Sequence, residues 1–168
     1  MIFGETPLTF VHVLLSLIGI FSGLVVAFGL IAGKQRDGWT ALFLTTTVAT
    51  SLTGFLFPIS KVTPGIVVGI LSLIVLAAAI LARYTLRLAG AWRKAYVITA
   101  MIALYFNCFV LVVQSFEKVP ALNSLAPTQS EPPFAVAQGV VLVLFIAMTV
   151  LAVKNFRAEP LARGSAAA

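Results

Sequence analysis

Apolar runs of membrane-spanning length, broken by short polar or basic joints, set the pattern along this chain. About 20 mostly apolar residues carry an α-helix across a bilayer. The first such run, residues 8–32, ends at GKQRDGW, where Gly33 and Gly38 break the helix and Trp39 offers an interfacial anchor. The second, 40–57, stops before Pro58, and the turn PISKVTP leads to the third, 65–82. A basic joint, RYTLRLAGAWRK, precedes the fourth, 95–116. A proline-rich connection, 117–133, separates it from the fifth, 134–153. The pattern predicts an all-α integral membrane protein, one domain over residues 1–157 built as a bundle of five transmembrane helices, with a disordered tail at 158–168.

Charge assigns the orientation. Alternate joints place Lys34 and Arg36, then Arg83, Arg87, Arg93 and Lys94, then Lys154, Arg157 and Arg163 on one side. The other side receives only Lys61 and Lys118. Lys and Arg are retained on the cytoplasmic face, so the N-terminus is expected outside, the C-terminus in the cytoplasm and the 117–133 loop external. Trp39, Tyr84, Trp92 and Tyr96 fall near the basic side and are expected to act as interfacial anchors. The expected location is a cell membrane, crossed several times, which in a Gram-negative cell is the inner membrane.

Composition agrees. Hydrophobic residues make up 61% of 168 positions and charged residues 10%, against roughly 25% charged in soluble domains. The mean hydropathy is +1.11. The net charge of +6 is accounted for by the basic joints facing anionic lipid, and no basic stripe with interleaved aromatics suggests nucleic acid. The segment before the first span has Glu5 and no Lys or Arg, unlike a signal peptide, so that span is expected to be retained.

Helices in lipid associate through small residues and interhelical hydrogen bonds. Gly19 with Gly23 and Gly65 with Gly69 have the close-approach spacing, and Gly29 with Gly33 repeats it. Thr45, Thr46, Thr47, Thr50, Ser51 and Thr53 fill the second span, where their hydroxyls can bond back to carbonyls one turn earlier. Gly19, Gly23, Gly65, Gly69, Thr46 and Thr50 are therefore the candidates for helix contacts, within the chain or with a second copy.

Charge-driven chemistry at depth is disfavoured. Glu5, Asp37, Glu117, Glu131 and Glu159 all fall outside the expected spans, as does every Lys and Arg. A proton-coupled carrier ordinarily needs a carboxylate that titrates inside the bilayer. One cysteine, Cys108, allows no intrachain disulfide, and one histidine, His12, allows no bis-histidine haem within one chain. No zinc-protease, serine-hydrolase or phosphate-loop motif is present, so no catalytic and no metal-binding residues are assigned.

What remains is a neutral polar set. His12, Ser16, Gly19 and Gly23 share one helical face, and Asn107 and Gln114, seven residues apart, share another that Glu117 and Lys118 continue outward. Gln138 lies about one turn inside the last span, and Cys108 reads as a small apolar filler. His12, Asn107, Gln114, Glu117 and Gln138 thus predict an outer-leaflet pocket for a small amphipathic or hydrophobic ligand, or for a partner subunit. In the loop, Pro120 is expected to open a short helix that lays Leu122 and Leu125 on the membrane surface. Ser130 is expected to cap the last span, ahead of Glu131, Pro132 and Pro133. The loop itself reads as a lid over the pocket or a docking segment. Two other readings are an accessory subunit of a redox enzyme, with a quinone or a shared haem near His12, and a passive carrier along the Thr-rich second span.

Overall fold

The computed structural model describes residues 6–57 and 64–157, and every regular element among them is helical. Helix α1 spans Pro7–Ile31, α2 Asp37–Gly54 and α3 Pro64–Ile80, which runs on into a π-helical turn at Leu81–Thr85. The long α4 spans Trp92–Lys118, the single-turn α5 Pro120–Asn123 and α6 Pro132–Asn155. The turn expected at 58–63, the 158–168 tail and Glu5 lie outside the described residues.

Helix ends follow local chemistry. Thr6 caps α1, its hydroxyl accepting from the Thr9 N–H at 3.2 Å, with Pro7 at the first position, where a missing N–H costs nothing. At the other end Gly33 adopts φ +71°, its N–H reaching the Leu30 carbonyl while the Lys34 N–H reaches that of Gly29. These paired bonds close a helix whose exit residue must be left-handed. The Asn155 carbonyl also sits 3.2 Å from where a Gly33 Cβ would stand. Glycine is needed there twice over.

Among the described residues four segments are long and apolar enough to cross a membrane: α1, Gly65–Thr85, α4 and α6. Helix α2 has 18 residues but falls outside that set, because threonine and serine dilute its apolar content. Contacts run round a ring from α1 through α2, α3, α4 and α6 back to α1, with α1 also touching α4. The tight core fills one half of this ring only. Val26, Phe43, Leu76, Tyr96, Leu104 and Phe156 belong to it, and all lie toward the end that carries the basic joints.

That end departs from expectation in two ways. Tyr96 is 0% exposed and packs beneath Arg83, whose guanidinium carbon is 5.1 Å from its ring centre, so it is a core residue and not an interfacial anchor. Trp39, Tyr84 and Trp92 do stay exposed. Arg83 is itself buried, because the π-helical turn points it inward, where it donates to the Asp37 carboxylate. Arg93 donates to the Phe156 carbonyl and ties the end of α6 to the start of α4.

The loop after α4 is also better defined than the sequence suggests. Its short helix forms at Pro120–Asn123. The chain then folds back on α4, with Asn123 donating to the Phe116 carbonyl (3.1 Å) and Gln129 to that of Val113 (3.1 Å). Ser130 does not cap α6. Glu131 holds the cap position, and its carboxylate instead accepts from the N–H groups of Thr128 and Ser130 and from the Thr128 hydroxyl.

Candidate ligand-binding cavity

The half of the ring without a tight core encloses a cavity of about 670 Å³, a size suited to a small organic ligand. It lies where α1 begins, α2 ends, α3 begins and α4 ends, opposite the basic joints. Its walls are mostly apolar, with Phe55, Phe57, Phe106 and Val110 prominent. No residue of the loop 119–131 lines it. The loop is pinned along α4 instead, and does not form a lid in this structure.

The floor is set by close approach of α1, α2 and α4. A Cβ on Gly19 would stand 3.1 Å from Thr47 Oγ1, 3.3 Å from Thr46 Oγ1 and 3.4 Å from Asn107 Nδ2. One turn deeper, a Cβ on Gly23 would collide with Leu104 Cδ1 at 2.5 Å and with the Phe43 ring at 2.9 Å. The glycines therefore let three helices converge, and the space above the convergence becomes the cavity. Asn107 stands on this floor and donates to Thr47 Oγ1 at 3.3 Å, eleven residues or about 16 Å along α4 from Lys118.

His12 stands higher, on the α1 wall. Its Nδ1 is 2.9 Å from Thr53 Oγ1, and its ring meets Phe57 edge to face at 5.3 Å. Ser16, one turn on, donates to the His12 carbonyl at 2.8 Å. At the rim Gln114 Nε2 donates to Glu117 at 3.4 Å, and Lys118 joins them. His12, Asn107, Gln114 and Glu117 are thus brought around one space.

Gln138 is not among them. Its amide donates to the Phe109 carbonyl at 3.2 Å, on a different side of α4, and its own carbonyl oxygen is buried without a partner among the described residues. The small residues divide similarly. Gly19 and Gly23 are buried inside the chain, and Gly69 is half-buried with a prospective Cβ 3.2 Å from the Phe55 ring. Gly65 is exposed on the cavity rim. Thr46 is buried and donates back to the Leu42 carbonyl at 2.7 Å. Thr50 is buried in the cavity wall, and its hydroxyl has no partner among the described residues.

Thr53 and the aromatic trio Phe55, Phe57 and Phe106 were not singled out as site residues. A signal existed, since Thr50, Ser51 and Gly54 recur on one face of α2 at helical spacing. Among the described residues no group of His, Cys, Asp and Glu side chains is clustered to hold a metal ion. The site offers a neutral polar lining in an apolar shell, an arrangement for recognition. No protein-family model matches this chain, and neither a curated protein nor a solved structure does.

Proposed function

We propose that this is a five-span membrane protein, N-terminus outside, whose cavity opens toward the outer leaflet and binds a small hydrophobic or amphipathic ligand without catalysis. The observation that carries this reading is the convergence of His12, Asn107, Gln114 and the unpartnered Thr50 on one apolar-walled space of about 670 Å³. Few convergent polar groups in apolar walls are the usual composition of a small-molecule site. Among the described residues no charged side chain lines the cavity's depth, which favours neutral recognition over ion coupling.

Support for α2 as the fifth span comes from its hydroxyls. Thr46, Ser51 and Thr53 each donate to a carbonyl of the preceding turn, so they cost little in hydrocarbon. Eighteen residues reach about 27 Å, close to the hydrocarbon thickness. Orientation is tested with Leu125→Cys in a Cys108→Ala background. Labelling from outside is expected, and access only from the cytoplasm overturns it.

Ligand binding is tested by mass spectrometry of small molecules retained after extraction in mild detergent. A retained amphipath that is lost when Val110→Phe fills the cavity is the expected result. Retention of nothing, or equal retention by the variant, sinks the reading. A second reading, subunit of a redox enzyme, draws on His12 as the chain's one imidazole, placed in the cavity wall. A visible haem band in the purified complex, lost in His12→Leu, would select it.

A further inference from the structure

The hydrogen-bond bookkeeping around the cavity specifies which kind of head group it accepts, on the premise that the cavity binds an amphipath at all. The Thr53 hydroxyl directs its hydrogen at the carbonyls of Ala49 (2.9 Å) and Thr50 (3.0 Å). A hydroxyl has one hydrogen, so toward His12 Thr53 can only accept, and Nδ1 of His12 must carry the hydrogen of that 2.9 Å bond. The neutral ring then holds its lone pair at Nε2, to which no described residue bonds.

Several other donors are committed in the same way, while the Thr50 hydroxyl has no partner among the described residues. Ser16 gives its hydrogen to the His12 carbonyl and Ser51 to that of Thr47. Asn107 donates to Thr47 and Gln114 to Glu117, which leaves the two amide oxygens to accept. Each amide keeps one further N–H and the Thr50 hydroxyl can still donate, so donors are not excluded, and the acceptor bias rests on His12 Nε2, which has no hydrogen to give. At the rim the Glu117 carboxylate adds acceptor capacity and the neighbouring Lys118 adds donors.

We infer that the cavity receives an amphipath whose head group donates hydrogen bonds, a hydroxyl or a protonated amine bearing N–H, with its tail against Phe55, Phe106 and Val110. A quinone presents acceptors only and leaves His12 Nε2 and the amide oxygens unsatisfied. A trimethylammonium carries charge without a strong donor and fails for the same reason. Selection follows donor capacity rather than charge.

The test uses the full chain in lipid nanodiscs and photoreactive probes that share one alkyl tail and differ in head: hydroxyl, primary ammonium, trimethylammonium and quinone. Crosslinked peptides are read by mass spectrometry. The hydroxyl or ammonium probe, or both, should label the α1 and α4 cavity segments about tenfold more than the other two, the ratio for one buried acceptor left unsatisfied. Labelling by the hydroxyl probe alone would identify an alcohol as the ligand source, and by the ammonium probe alone an amine. His12→Phe should lower donor-head labelling and leave the quinone unchanged. Gln114→Leu, at the exposed rim, gives the same readout should the first variant fold poorly.

Equal labelling by ammonium and trimethylammonium, or a quinone preference, overturns the inference while ligand binding itself stands. Cavity segments labelled no more than lipid-facing α6 by every probe overturn both.

Discussion

His12 on α1 and Thr53 on α2 share a 2.9 Å hydrogen bond across the cavity wall, and Thr53 passes its own hydrogen to the backbone of its helix. This links a lining side chain to the helix that lies beside it. His12→Leu and Thr53→Val should each cost about 1 kcal/mol, with the double variant costing clearly less than the sum. Reversible unfolding in mixed micelles measures it. His12→Leu and Gln114→Leu should be additive, since no hydrogen bond joins those two residues.

Gly23→Ala should destabilise the bundle by about 1–3 kcal/mol, as expected for overpacking a close contact. Its new methyl would meet Leu104 and Phe43, which are both almost fully buried and have little room to yield. Gly139→Ala on α6 is the control, because nothing lies within 4 Å of its prospective Cβ. Thermal unfolding should leave it unchanged or slightly stabilised.

Arg83 and Asp37 form an uneven ion pair, their side chains 7% and 75% exposed. Asp37→Asn leaves a buried cation with the Tyr96 and Tyr84 rings for company. Solvent screens the carboxylate, so the loss should be about 1–2 kcal/mol, below that of a fully buried pair. Adding Arg83→Met should recover part of it. A double variant no more stable than Asp37→Asn would refute this account.

Glu131 gives the loop a pH dependence. Desolvation raises its pKa, but the hydrogen bonds from the Thr128 hydroxyl and from the N–H groups of Thr128 and Ser130 together outweigh it, and the net shift is downward. A carboxylate depressed in the folded state contributes order above its unfolded pKa and loses it as pH falls through the folded value. Amide-exchange protection at Thr128 and Ser130, corrected for intrinsic rates, should hold at neutral pH. It should fall only below the ordinary carboxylate range, near 4. Glu131→Gln should abolish the pH dependence.

Helix positions were largely legible from the chain, because an apolar run of spanning length bounded by Gly, Pro and charge has few alternatives in a bilayer. The observed ends differ by a few residues: α2 starts at Asp37 and stops at Gly54, and α4 extends from Trp92 to Lys118. Capping explains these shifts, since Asp37 suits a helix start and α4 continues until Val119 turns extended.

Within one helix, 3.6-residue phase placed Asn107 with Gln114 and His12 with Gly19, and those placements needed no structure. Relative rotation between helices is different. Helix α6 is apolar nearly all round, so its sequence alone does not say which side meets α4, and Gln138 bonds the Phe109 carbonyl instead of joining the cavity. Arg83 went inward because the π-helical turn changed the helical phase at the end of α3, a shift invisible in composition, and it packs there over the buried Tyr96 ring. The chain by itself determined the helices and the neutral character of their polar faces. Only tertiary structure decided that glycine-mediated contact closes one half of the ring around Phe43 and Leu104 and holds the other open around His12. The reason is steric: how near two helices come depends on the paired side chains at their crossing, and that pairing is a property of both helices together.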